Sequence, residues 1–159
     1  MHQPQQVVTD RTQIHQFIQA GHVLQLALND GVYPYVVPVN YGYVFDEAGQ
    51  LHFYVHGAPV GKKRTLIAAD PHVAFSIVAD RAFEHTANSC TYWFKSVLGT
   101  GTATLLTDHQ EKAQALQLLL RHEAGDQAHL DLTHKDLSHL GAIRIDVDQL
   151  TAKQHQPAE

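Results

Sequence analysis

The chain has a single cysteine, Cys90, among 159 residues. One thiol excludes an intrachain disulfide and fits a reducing compartment. Long apolar runs are missing as well: no stretch approaches the roughly 18 residues that a membrane helix needs. The first residues, Met1 to Thr9, are polar and Gln-rich and lack the apolar segment of a secretory signal. A cytoplasmic protein without a membrane partner is the expectation. Positive charge is scarce: 11 Lys and Arg stand against 16 Asp and Glu, a net charge of -5. No basic face is there to neutralise phosphates, so a nucleic-acid partner is not expected. There is no fixed-period repeat and no Gly-x-Ser-x-Gly nucleophile elbow.

Histidine is plentiful. The 13 His residues are scattered, so they read neither as a tag nor as a metal tract. His52 and His56 share a strand face some ~13 Å apart, too far for one ion. His129, His134 and His139 lie in a polar connection, and no Cys or carboxylate pattern completes a zinc set, so no metal is expected.

At 44% hydrophobic and 17% charged residues, the chain suits one globular domain with a substantial core. Thr9 or Asp10 offers an N-cap for a helix with Ile14, Phe17 and Ile18 at helical spacing, ended by Gly21. His22 to Leu28 alternates as a strand, and Asn29-Asp30-Gly31 is a turn. Val32 to Phe45 is β-prone, but Pro34 and Pro38 mark an edge, bend or bulge in it. Leu51 to His56 is a strand, and Lys62 to Ala69 a short helix stopped by Asp70-Pro71. Val73 to Ala79 is a strand, Asp80 to Ser89 reads as irregular, and Tyr92 to Leu106 is β-prone. Asp108 caps a helix over about 109–123, with Ala113, Leu116, Leu119 and Leu120 on its buried face. A polar connection over 124–138 and a strand from Leu140 to Val147 complete the pattern. The fold expected is α+β: a split antiparallel β-barrel of about six strands with flanking helices. The barrel domain is placed at 9–150, with flexible ends at 1–8 and 151–159.

Four groups of residues carry candidate chemistry. Lys62 and Lys63 follow Gly61 at a helix start, where free N–H groups and two cations suit a phosphate; a solvated basic turn is the plainer reading. His56 closes the preceding strand and is either an edge His bonded to water or a ring contact, proton donor or haem ligand. Asn40 can offer a donor and an acceptor to a ring edge. Tyr41, Tyr43 and Tyr54 can pack on a ring face or simply form the barrel wall. Ser96 shares a strand face with Phe94 and could bond a phosphate or flavin oxygen. Gly99-Thr100-Gly101 lies inside a β segment and is no dinucleotide loop.

Several segments resemble, in order and spacing, the FMN-binding split barrels of the pyridoxamine 5'-phosphate oxidase-like superfamily, above all the 5-nitroimidazole-resistance (Nim-type) branch. They are Leu26-Ala27-Leu28, Tyr35 to Gly42, Phe53-Tyr54-Val55-His56-Gly57-Ala58, Gly61-Lys62-Lys63, Asp70-Pro71-His72-Val73, Ser96 to Gly101 and Ala142-Ile143-Arg144-Ile145. The resemblance spans about 8–152 and implies a homodimer with FMN in a groove at the subunit interface. Pro38, Val39, Asn40 and Tyr41 would line the isoalloxazine, and His56, Gly57 and Ala58 would continue that wall. Lys62 and Lys63 would hold the phosphate, with Ser96 near it. Phe94 stands where such proteins usually carry Tyr, and the Arg-rich signature of true pyridoxamine 5'-phosphate oxidases is absent. The implied activity is a flavin-dependent reduction of small nitro-aromatic or quinone-like compounds, with His56 as proton donor. The alternative is a haem- or flavin-binding storage or sensing module without turnover; a third reading exchanges FMN for a deazaflavin.

Overall fold

The structure is a computed structural model describing residues 6–132 and 135–156. Eight strands and three helices follow one another as β1 (Val7–Val8), α1 (Arg11–Ala20), β2 (Leu24–Leu28), β3 (Tyr35–Val39), β4 (Gly42–Phe45), β5 (Leu51–Val55), α2 (Lys62–Ala69), β6 (His72–Thr86), β7 (Ser89–Leu105), α3 (His109–Ala124) and β8 (Ile143–His155). The strands pair antiparallel in the order β3-β2-β6-β7-β8-β5-β4, and β1 pairs with β8. This is the expected α+β split barrel. Its eight strands exceed the six anticipated because the 32–45 segment divides in two at Asn40-Tyr41 and β1 adds a short edge.

The local signals act as the sequence predicts. Asp10 accepts a hydrogen bond from the Gln13 amide at 2.8 Å and starts α1, and the Gly21 amide closes it on Phe17 O. Asp108 does the same for α3 through the Glu111 amide. Gly31 takes φ 71° in the β2–β3 turn, a left-handed conformation that costs Gly little. Pro38 is tolerated because β3 is an edge strand.

The core is the barrel interior. Leu24, Leu26, Phe53, Ile77, Val97, Ile143 and Ile145 are fully buried there, and Ile18 seals it from α1. Each such side chain contributes about 1.5–3 kcal/mol through burial. Gly99 and Gly101 do not break β7. They admit Phe75 and Ile145 so closely that a Cβ would collide with the neighbouring strand.

Four expectations need correcting. Asp80 to Ser89 is not irregular: β6 runs on to Thr86 and pairs residue by residue with β7 down to Thr86↔Ser89. Its polar composition reflects two exposed faces. The segment from Thr151 is not a frayed tail, because Thr151–His155 continue β8 against β7, and Val7–Val8 pair with Lys153 and Ala152. The expected flexible end at 1–8 is thus trimmed by β1, and 1–5 and 157–159 lie outside the described residues. Finally, α3 turns Ala115 and Leu118 to the barrel, against Tyr54, Leu106 and Ala142, while Ala113, Leu116, Leu119 and Leu120 stay half-exposed. The Glu111–Arg144 ion pair at 2.5 Å and close packing of Gly42 on the Leu118-Leu119 backbone set that rotation.

Candidate cofactor site

β4 begins at Gly42 opposite Tyr54, one residue before β5 ends at Val55. The Pro38–Tyr41 and His56–Ala58 segments therefore leave the same end of this strand pair. The loop after β5 is anchored there. Gly57 O accepts from the Gly141 amide at 2.9 Å, and Gly141 sits so close to the Ala58 carbonyl that no side chain fits. Arg64 Nη1 reaches Ala142 O at 3.4 Å and ties α2 to the same segment.

On this anchored loop two titratable groups have no internal partner. His56 and Lys63 make no side-chain hydrogen bond or ion pair among the described residues. Lys63 Nζ would lie 3.5 Å from a Cβ at Gly57, so the ammonium folds back over the loop. Loss of solvent around the imidazole lowers the His56 pKa, and the Lys63 charge lowers it further, although the residue as a whole is exposed. Burial, then the Arg64 charge, lowers the Lys63 pKa. An anion seated here would reverse the charge repulsion in both cases. Gly61, at φ 136°, starts α2 without a side-chain cap, leaving the first helical N–H groups for an outside acceptor.

The other expected residues are placed differently. Lys62 does not converge with Lys63: its Nζ pairs with Asp30 Oδ2 at 2.5 Å and lies 5.1 Å over the Tyr35 ring. Tyr41 cannot offer a ring face. It is fully buried, and its hydroxyl donates within reach of Ile18 O at 2.6 Å and Gly21 O at 2.8 Å. Burial accordingly raises its pKa strongly. The Asn40 amide is also committed, to His22 O at 3.1 Å and Glu123 Oε1 at 3.3 Å. The main chain at 40–41 and the Oδ1 acceptor of the exposed Asn40 remain for a ligand. Tyr43 bonds His15 and Tyr54 lies under α3, which is the barrel-wall reading. Val39 is half-buried beside the core, and Pro38 and Ala58 are exposed.

Ser96 lies elsewhere. It lines an open groove of about 790 Å³ with Val78, Asp80, Arg81, Tyr92 and Phe94. Val55, two residues before the Gly57 that Lys63 covers, is in register with Ile143 and through it with Leu105, and Ser96 stands nine residues back along β7, a distance of ~30 Å at ~3.3 Å per residue. Within one chain Ser96 and Lys63 do not share a site.

Sequence reasoning missed a second cluster. His22, His122 and Glu123 each bring one ligand-type atom within 4.8 Å of the others. His22 and His122 are a hundred positions apart, and only the pairing of α1's end with α3's end reveals them. Burial lowers the His122 pKa, opposed by its bond to Gly21 O and by the Glu123 charge.

The fold defines an α+β split-barrel protein. The sequence profile of the pyridoxamine 5'-phosphate oxidase family matches residues 10–154, and the chain belongs to that family. No curated protein sequence matches it. Among solved structures, a Bacteroides thetaiotaomicron protein provisionally assigned to 5-nitroimidazole antibiotic resistance is 25% identical, with TM-score 0.77 over 93% of this chain and 86% of that one. This bears out the resemblance to the nitroimidazole-resistance branch. An FAD- and haem-binding protein from Mycobacterium smegmatis shares the fold at 17% identity, TM-score 0.77, over 97% of this chain and 76% of its own. So does an FAD-binding protein from Mesorhizobium loti, at 23% identity and TM-score 0.62, over 93% and 96%. Among the described residues no helix is long and apolar enough to cross a membrane.

Proposed function

We propose that the protein is a cytoplasmic, homodimeric FMN-binding reductase of small nitro-aromatic or quinone-like compounds, with each flavin held between two subunits. The observation that carries this reading is the division of the anion-binding candidates: Lys63 lies over Gly57 at the barrel end where Val55, Ile143 and Leu105 are in register, and Ser96 stands nine residues, ~30 Å, from Leu105 along β7. A site using both needs a second chain. The surface between them suits one. Val36, Val78 and Leu98, 54%, 56% and 46% exposed, lie on the outer face of β3, β6 and β7 with Pro38 and Ala74. Gln25 and Ser76 stand among them in the register, and a second subunit laid on this face would cover the exposed Val36, Val78 and Leu98.

The residues present fit a flavin mononucleotide. Lys63 and the uncapped amides of α2 supply a phosphate cradle, Gly57 and Ala58 leave room beside it, and the 38–41 main chain offers donors and acceptors at the same barrel end. Bound there, the flavin supplies the redox chemistry. His56, with its lowered pKa, is neutral at pH 7 and can take or return a proton at the open edge. The similarity to a protein provisionally assigned to 5-nitroimidazole resistance supports nitro-aromatic acceptors in this reading. A second reading, haem, rests on the unpartnered His56 ring and on the haem-binding relative with this fold.

Titration of the purified protein with FMN, then with haemin, followed by absorption, tests the reading. Bound flavin bands with no change on adding haemin, followed by turnover of a nitro-aromatic with reduced nicotinamide, are expected. A Soret band lost in His56→Ala, with no flavin bound, would replace FMN by haem.

A further inference from the structure

The corner where α1, the β3–β4 connection and α3 meet holds a set of groups that flavin binding does not use. His22 follows the Gly21 cap of α1, and His122 and Glu123 occupy the last turn of α3. His22 Nδ1 stands 3.4 Å from Glu123 Oε2. We propose that His22, His122 and Glu123 form a binding site for one divalent metal ion of the zinc class, with water completing the coordination.

Three observations support it. The donor set, two imidazoles and a carboxylate, is the one borderline divalent ions prefer, and three protein ligands leave a position open. The ligands are oriented from behind. His122 Nε2 donates to Gly21 O at 2.6 Å, which leaves the lone pair on Nδ1, and the ring stacks on Tyr41 at 4.6 Å. Asn40 donates to Glu123 Oε1, leaving Oε2 toward His22. Hydrogen bonds of this kind, from a ring N–H to a carbonyl and onto a carboxylate, are what hold metal ligands in register. The spread also closes easily. Ligands at 2.0–2.1 Å from a tetrahedral ion lie about 3.3 Å apart. The His22–Glu123 pair is already there, and the other two spans, at most 4.8 Å, narrow by rotation of the His22 and Glu123 side chains, which are 57% and 31% exposed.

The ion would clamp the ends of two helices that no backbone ladder joins, directly beside Asn40. Metal loading should therefore stiffen the 38–41 segment. Binding is independent of the flavin reading, because no residue of the set is assigned to the cofactor and the test uses flavin-free protein.

The test is titration of untagged, EDTA-treated full-length protein with Co²⁺ at pH 7.5, read by its visible d–d bands, followed by displacement with Zn²⁺. One equivalent should bind, with a rise in Tm. Both His22→Gln and Glu123→Gln should weaken it by more than the about 10–100-fold that loss of an outer partner gives. His72→Gln, which removes an exposed His paired to Asp70 at 2.7 Å, should leave it unchanged. Both ligand variants are at exposed or half-exposed positions, and circular dichroism confirms their fold. Absent d–d bands, or Co²⁺ affinity equal in wild type and both ligand variants, would overturn the site. So would an equal loss in His72→Gln, which would mark diffuse histidine binding.

Discussion

The β3–β4 connection and the β5–α2 loop leave the same end of one strand pair, yet they hold their polar groups in opposite ways. In the first, Asn40 and Tyr41 are bonded to the neighbouring helix ends, and Tyr41 is sealed in the core. In the second, His56 and Lys63 have no internal partner among the described residues, and their pKa values are lowered by burial and then by a neighbouring cation, Lys63 for His56 and Arg64 for Lys63. The first is finished without a ligand; the second is arranged at a cost that an anion relieves. Residues of similar chemistry, equally suggestive in sequence, thus divide into scaffold and site by whether the fold has already satisfied them.

Substitutions sharpen that division. The largest effect is expected at the scaffold: Tyr41→Ala should lower stability by about 3–5 kcal/mol, as for other buried aromatics, measured by urea unfolding. Its effect on FMN should follow from unfolding alone. Lys63→Gln should do the reverse. Stability should stay within about 0.5 kcal/mol, while FMN affinity falls about 10–100-fold, the worth of a charged hydrogen bond. Riboflavin, which lacks the phosphate, should bind both proteins alike by fluorescence titration. Lys62→Gln is the control beside it. Its ammonium is paired with Asp30 on the surface, so about 0–1 kcal/mol of stability and little FMN affinity should be lost.

The smallest effect concerns pH. The folded pKa of His56 lies below its ordinary value of 6.5. The unfolded chain therefore binds this proton more readily, and the group costs stability as pH falls below 6.5 toward the lowered folded value. An anion beside the ring favours the protonated form, so FMN affinity relative to riboflavin should rise over that same window. His56→Gln should flatten the ratio.

Much of the barrel was legible because its signals are local. Asp10, Gly21 and Asp108 sit at helix ends, and Lys62–Ala69 forms the helix its composition and the Asp70-Pro71 stop define. What was not legible depends on distant partners. Asp80–Thr86 lacks an apolar face and becomes a strand only because β7 runs beside it. Thr151–His155 is fixed by β7 and β1 together. The site was legible in part for the same reason. Sequence order places Lys63 near Gly57 and His56, whereas the swing of Lys62 depends on Asp30 in another turn, and the capture of Asn40 on Glu123 in α3.

Sharing of one flavin between two subunits is tested by sedimentation velocity at the flavin absorbance, comparing wild type with Val78→Lys/Leu98→Lys. Both residues are exposed on the outer sheet face, outside the core, so the variant should fold. The account predicts a wild-type dimer carrying FMN and a variant monomer that has lost it. A monomeric variant that sediments with FMN bound as tightly as wild type would contradict it.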